Sequence, residues 1–169
     1  AASDVYKRQL LLVASLLLGA CAAHTPVPQA TPELVAALPL TLQIQREQAQ
    51  ARQDWLLVVQ REGSALRWSL MDPLGIPQAR QLLDAGQWRN DGLLPPNAEA
   101  RELFAALLFA LSRSDALQAY PAGSWQQMND EQRRLAPDWT IDYHGPLDFT
   151  LGKTGLNYRI RALNLEESD

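Results

Sequence analysis

The stretch Leu-Arg-Trp-Ser-Leu-Met-Asp-Pro-Leu-Gly at residues 66–75 decides the expected fold. Its apolar residues alternate with polar ones, so that Leu66, Trp68 and Leu70 fall on one face of an extended chain. The last four residues have the composition of a tight turn, since proline fixes one backbone angle and glycine frees another. The stretch therefore predicts a half-buried strand that ends in a turn with Leu74 at its tip.

Strands with the same alternation are predicted on both sides of this stretch. Upstream, residues 38–45 and 55–59 alternate, and the short connection 62–64 pairs the second of these with 66–71 as an antiparallel hairpin. The other expected strands lie at 78–83, near Trp88, and in a three-stranded meander at 139–144, 147–151 and 156–161.

Between these strands the pattern becomes helical. Asn97 can cap a helix over 98–112, with Glu99 and Glu102 near its positive end. Apolar positions cover much of the circumference, so this helix is expected to lie between the sheet and a further layer. A short second helix is expected near 114–120. The expected fold class is α+β, a strongly curved antiparallel sheet or half β-barrel covered by one or two helices.

The first twenty residues are typical of a processing signal. Apolar or small residues run from 10 to 18, too few for a transmembrane helix, which needs roughly 20. Leu18-Gly19-Ala20-Cys21 resembles the bacterial lipobox, in which the chain is cut before a cysteine that becomes acylated. We therefore expect a signal peptide at 1–20 and lipidation at Cys21. Residues 1–9 resemble a translated sequencing adapter, so we make no prediction about the native sequence before Leu10.

The lipobox resemblance implies a location as well as an anchor. Two or three acyl chains hold a protein in a bilayer stably, whereas one holds it only reversibly. Ala22 follows the cysteine, where an aspartate would favour the inner membrane of proteobacteria, and this points to the outer membrane, facing the periplasm. The alternative is that Cys21 is a small buried hydrophobe. The expected parts are a lipid-anchored tether at 21–37, a folded domain at 38–165 and a C-terminal tail at 166–169.

Composition excludes several classes of protein. The chain has 169 residues, 15 Lys and Arg against 19 Asp and Glu, and a net charge of −4, so it lacks the basic excess that binding to nucleic acid needs. Its single cysteine allows no internal disulfide. Residues 152–154, Gly-Lys-Thr, match only the tail of a phosphate-binding loop. Ser64 and Ser124 lack the second glycine of the serine hydrolase motif.

Four side chains come nearest to a catalytic or metal-binding cluster: Asp138, Asp142, His144 and Asp148. Asp142 and His144 would share one strand face, close enough to bind a cation or exchange a proton. The alternative, which we favour, is an exposed polar face, because one imidazole with scattered carboxylates is a weak metal site. We therefore predict no enzymatic activity, no metal and no cofactor.

The stretch Arg-Trp-Ser-Leu-Met-Asp-Pro-Leu-Gly at 67–75 and the helix start Asn-Ala-Glu at 97–99 resemble the LolB family. These outer-membrane lipoproteins receive lipoproteins from the periplasmic carrier LolA. The order of elements is similar over 38–163, most of all to the compact LolB-like lipoproteins of aryl-polyene gene clusters. Residues 112–139 lack the family's Pro-Leu-x-x-Leu-x-x-Trp-x-x-Gly run. The resemblance implies binding of lipid or lipoprotein acyl chains, transfer within the envelope, and a LolA-like carrier as a candidate partner.

The resemblance also implies two sites. A membrane-inserting turn would consist of Pro73, Leu74 and Gly75; the alternative is that Leu74 folds back under its own loop. An apolar cavity between sheet and helix would be lined by Leu42, Leu57, Trp68, Leu103, Leu107, Leu111 and Tyr158. The rival function is a structural or interaction lipoprotein of an envelope assembly with a filled core. A continuous apolar cavity of roughly 300–1,000 Å³ would favour acyl-chain binding.

Overall fold

The computed structural model describes residues 24–163. They form one ten-stranded sheet, an α-helix α1 (Ala98–Leu111) and a 3-10 helix (Ser114–Ala119). The strands are β1 (Leu40–Gln48), β2 (Ala51–Glu62), β3 (Ala65–Met71), β4 (Pro77–Asp84), β5 (Gln87–Asn90), β6 (Trp125–Asn129), β7 (Gln132–Leu135), β8 (Trp139–Gly145), β9 (Asp148–Lys153) and β10 (Leu156–Ala162). The expected signal peptide, Cys21 and the expected C-terminal tail lie outside the described residues.

The sheet consists of two antiparallel meanders that meet at their first and last strands. Its order is β5-β4-β3-β2-β1-β10-β9-β8-β7-β6, and every neighbouring pair is antiparallel. In the central pair, Ile44 lies opposite Ile160, and both are fully buried. The predicted α+β class with an antiparallel sheet is therefore confirmed.

Helix α1 connects the two edge strands of the sheet, β5 and β6, and packs against both meanders. The Phe104 ring lies 5.6 Å from the ring of Trp68 in β3, and the Phe109 ring lies 6.2 Å from that of Trp125 in β6. The Tyr143 hydroxyl of β8 donates a hydrogen bond to the carbonyl of Ala110, at 2.8 Å. One helix can reach strands so far apart in the sheet only if the sheet curves around it.

The helix begins and ends close to the predicted positions. The Asn97 side-chain oxygen accepts a hydrogen bond from the Ala100 backbone at 3.0 Å, which satisfies one free N–H of the first turn. Every residue from Leu103 to Leu111 is buried, so this part of the helix is covered on all sides. Within 24–163, neither helix has the length and apolar character needed to span a membrane.

The outer cover of the helix comes from the segment that the sequence predicts as a tether. Where a surface tether was expected at 21–37, the chain from Thr25 onward lies against the folded domain. Thr25, Pro28 and Pro32 are buried. We name residues 24–35 the strap. The tether prediction is thus wrong for these residues. The outer face of the helix is apolar, and the proline-rich strap packs against it and buries it.

Backbone hydrogen bonds fix the strap along its length. The Gln29 N–H donates to the Ala119 carbonyl at 2.9 Å, and the Val35 N–H donates to the Leu111 carbonyl at 2.8 Å. The second of these satisfies one of the free carbonyls at the C-terminal end of α1. The strap is therefore part of the fold.

Candidate functional site

The space where the sequence predicts an apolar cavity is filled by side chains. All seven expected lining residues have 0% exposed surface: Leu42, Leu57, Trp68, Leu103, Leu107, Leu111 and Tyr158. No solvent-accessible void therefore borders any of these seven residues. The expectation of an open cavity at these positions is therefore not met, because large rings occupy the space between α1 and the sheet.

Aromatic rings account for much of this filling. The Trp68 ring lies 5.7 Å from that of Trp88, and both lie within 6.0 Å of Phe104. On the other side of the helix, the rings of Tyr158 and Trp139 are 6.2 Å apart. These separations are those of rings in direct contact.

The turn between β3 and β4 holds Leu74 out in solvent. The side chain of Leu74 is 86% exposed, so the alternative in which it folds back under its loop is wrong. Asp72 shapes the turn: its Oδ1 accepts hydrogen bonds from the backbone N–H groups of Leu74 and Ile76, each at 2.9 Å. Gly75 has φ +82°, a conformation that favours glycine. The turn is therefore ordered by its own hydrogen bonds.

The tip of this turn is apolar as well as exposed. Residues 73–77 read Pro-Leu-Gly-Ile-Pro, with no charged or hydrogen-bonding side chain. Ile76 is 54% exposed and adds a second large apolar group beside Leu74. The nearest charge in sequence, on Asp72, is engaged by the backbone. The turn therefore presents a small exposed apolar surface.

A second surface feature lies where the strap crosses the first half of α1. A cleft of about 450 Å³ opens between the strap, strand β5 and the helix. Its apolar lining comes from Val27, Trp88, Pro96, Ala98 and Ala105. We name it the strap cleft. No pattern in the sequence indicates this cleft, because three segments distant in the chain form it and the strap was expected to be a free tether.

Thr25 fixes the strap at the edge of this cleft. Its backbone N–H and hydroxyl both donate to Glu102 Oε2, at 2.8 and 2.5 Å. The same hydroxyl oxygen accepts a hydrogen bond from Trp139 Nε1 at 2.7 Å. Nδ1 of His24 lies 3.2 Å from Glu102 Oε1. One hydroxyl thus links the strap to both α1 and β8.

Glu102 is held as a carboxylate by these contacts. Burial acts to raise its pKa, but the hydrogen bonds from Thr25 and the nearby His24 ring outweigh burial and hold the pKa of Glu102 below its usual value. The group is therefore charged at neutral pH, with both oxygens directed to the strap. Its contacts attach the strap to α1.

A similar cluster ties the start of α1 to the centre of the sheet. Glu99 accepts a hydrogen bond from the Tyr158 hydroxyl at 2.6 Å and one from Arg46 Nε at 2.5 Å. Burial opposes ionisation of Glu99, but the bonds from Arg46 and Tyr158 together hold its pKa below the usual value. Burial, followed by the negative Glu99, raises the pKa of Tyr158. Tyr158 therefore supports the helix instead of lining a cavity.

The polar residues considered for catalysis have separate partners. Asp142 accepts from Gln132 at 2.6 Å, and Nε2 of His144 lies 3.2 Å from the Thr150 hydroxyl. Asp142 and His144 border the same open depression, of about 460 Å³. Lys153 pairs with Asp138, and Arg159 pairs with Asp148. Within 24–163, no three His, Cys, Asp or Glu side chains converge as metal ligands would. That the protein is not an enzyme stays a prediction.

Comparison with known proteins leaves the chain without an assigned relative: no protein-family model and no curated protein matches it. The resemblance to the LolB family stays a prediction, based on the turn at 72–75, the helix start at 97–99 and the order of elements.

Proposed function

We propose that the protein is an outer-membrane lipoprotein, anchored through acylated Cys21, that acts at the bilayer surface in transfer of lipids or lipoproteins, as LolB does. The observation that carries this proposal is the ordered turn that holds Leu74 almost fully in solvent. The LolB-like order of elements and the lipobox support it.

The energetics of the turn favour contact with lipid. Burial of a leucine side chain in an apolar phase stabilises by roughly 1.5–3 kcal/mol. Asp72 already fixes the backbone, so little conformational entropy is lost when Leu74 and Ile76 enter the bilayer. An acyl anchor at Cys21 would keep the turn close to the membrane, where this modest affinity is sufficient.

The filled interior sets a condition on acyl-chain binding. A passenger chain enters the space between α1 and the sheet only after the helix and the strap move away from the strands. The strap is the outer layer, and the contacts of Thr25 with Glu102 and Trp139 are among those that hold it. A LolA-like carrier that delivers a lipoprotein would then act on a closed receptor that opens during transfer.

Leu74→Glu tests the proposed membrane contact. We expect the domain that starts at Ala22 to bind vesicles of phosphatidylethanolamine and phosphatidylglycerol about 10- to 100-fold more weakly with this change, since the burial of one leucine is lost. Sedimentation with the vesicles measures this. The melting temperature should stay unchanged, because Leu74 has no core contacts to lose.

Met128→Glu is the matched control. Met128 is also an exposed apolar residue, but it lies in β6, at the opposite edge of the strand order from the β3–β4 turn. We expect its vesicle binding to equal that of the parent domain. Equal binding by Leu74→Glu and the parent domain would remove the turn from the mechanism.

The filled core favours a second candidate function. A structural or interaction lipoprotein of an envelope assembly needs no space for a passenger, in agreement with the 0% exposure of the expected cavity lining. One assay distinguishes the two functions. A receptor takes up a fluorescent fatty acid between α1 and the sheet, beside Leu103 and Leu107, in competition with unlabelled lipid, whereas a purely structural domain stays unlabelled at these two positions.

A further inference from the structure

The described chain begins at the strap cleft. His24 and Thr25 both line it, and Thr25 is 6% exposed and hydrogen-bonded to Glu102 and Trp139. Thr25 is therefore fixed at the edge of the cleft.

Cys21 lies only three residues before His24 in the sequence. An extended chain spans at most about 3.6 Å per residue, so Cys21 stays within about 11 Å of His24. An acyl chain on the Cys21 thiol or on the new amino terminus is longer than this gap. Such a chain can reach the cleft without any change in the strap.

The lining of the cleft fits a hydrocarbon tail. Val27 and Pro96 offer aliphatic surface, and the partly buried Trp88 presents its ring. The volume of about 450 Å³ falls within the range of small-ligand sites. The two charged side chains of the lining are occupied: Glu102 by Thr25, and Arg101, whose Nε donates to the Gln81 side chain at 2.9 Å. Gln87 and Asn97 are the other amide side chains in the lining. The apolar part of the lining thus lies open, and nothing in the described chain covers it.

We propose that the strap cleft binds one acyl chain of the protein's own lipid anchor at Cys21. This inference rests on the acylation in the proposed function. One chain then lies in the cleft while the remaining chains stay in the membrane, which is enough for stable attachment. The docked chain holds the start of α1 close to the bilayer and stabilises the strap in its closed position.

Photocrosslinking of the full-length lipoprotein tests this. Cells that express it are fed a palmitic acid analogue with a diazirine near the end of the chain, membranes are irradiated, and the purified protein is digested and analysed by mass spectrometry. We expect the lipid-bearing peptide that begins at Cys21 to be crosslinked to the peptides that carry Trp88 and Ala105.

Ala98→Trp is the variant that fills the cleft. Ala98 is exposed at the first position of α1 and lines the cleft, so an indole can occupy the space with little effect on the core. We expect about tenfold fewer of these crosslinks, because the tail is sterically excluded. Ala122→Trp makes the same change in an exposed turn that does not line the cleft and should keep them.

Three outcomes would overturn the inference. Crosslinks from Cys21 to membrane lipids alone would show that the cleft does not take the anchor. Cleft peptides crosslinked to a lipid that is not attached to Cys21 would assign the cleft to a passenger. Crosslinks that persist in Ala98→Trp would place the tail elsewhere. The same spectra report the mass of the Cys21 peptide, so an unacylated cysteine would identify failure of the proposed function itself.

Discussion

Replacement of Trp68 by alanine is expected to lower the free energy of unfolding by about 3–5 kcal/mol, the range for an aromatic residue removed from a packed core. Trp68 has 0% exposed surface, and its ring contacts those of Trp88 and Phe104. The shortened side chain leaves a void that the strands and α1 can only partly close. Urea denaturation followed by circular dichroism measures the change.

Leu74→Ala is the control for this prediction. It removes a large apolar side chain that is 86% exposed, and we expect a change within about 0.5 kcal/mol. A cost below about 1 kcal/mol for Trp68→Ala would contradict the account of a filled interior, because a side chain that borders an open slot loses few contacts when it is shortened.

Gly86→Ala is expected to destabilise the protein by about 2–4 kcal/mol and to loosen the strap. Gly86 has φ +74° in the β4–β5 turn, and a Cβ atom there would lie 2.8 Å from the Pro28 carbonyl oxygen. The left-handed conformation costs an alanine about 1–2 kcal/mol, and displacement of the strap backbone adds the remainder. Denaturant unfolding gives the total, and limited proteolysis before Leu40 reports the strap.

Gly63→Ala separates the conformational cost of a left-handed alanine from the cost of displacing the strap. Gly63 has φ +60° in the β2–β3 turn, and no atom lies within 4 Å of the added Cβ. This variant should show only the conformational cost and a protease-resistant strap. Identical stability and proteolysis for the two variants would mean that the strap does not pack on the β4–β5 turn.

Local patterns in the sequence predict much of the fold. The alternation of Leu66, Trp68 and Leu70 correctly gives β3, and Asn97 marks the start of α1. The Asp-Pro-Leu-Gly turn is correctly placed because its backbone requirements lie within four residues. These elements are determined by residues adjacent in the chain.

The β6–β7 hairpin lacks such a signal. Its strands read Trp-Gln-Gln-Met-Asn and Gln-Arg-Arg-Leu, without apolar alternation, so the sequence pattern predicts no strand there. Arg133 explains how a charged residue becomes buried in β7: it donates to the Ser112 carbonyl and the Ser114 hydroxyl at the end of α1. Contacts between distant segments, which no local pattern records, stabilise this hairpin.

Of the candidate site, the exposed turn could be predicted from local sequence, whereas the filled interior and the strap cleft could not, because they depend on contacts between distant segments. Leu74 is identifiable because Pro73 and Gly75 restrict where its side chain can point. The state of the interior depends on how closely α1 approaches the sheet, which follows from the summed volumes of rings such as Trp68 and Phe104. To predict the strap cleft, one would have to know that the proline-rich strap packs against α1. Amphipathic patterns show which faces are buried but not how completely the space between them is filled.

The mass of the intact protein extracted from the outer-membrane fraction tests the central claim most directly. The account predicts a chain that begins at Cys21 and carries acyl groups on that residue. An unmodified chain, or one that retains the residues before Cys21, would contradict a lipid-anchored protein that acts at the bilayer surface.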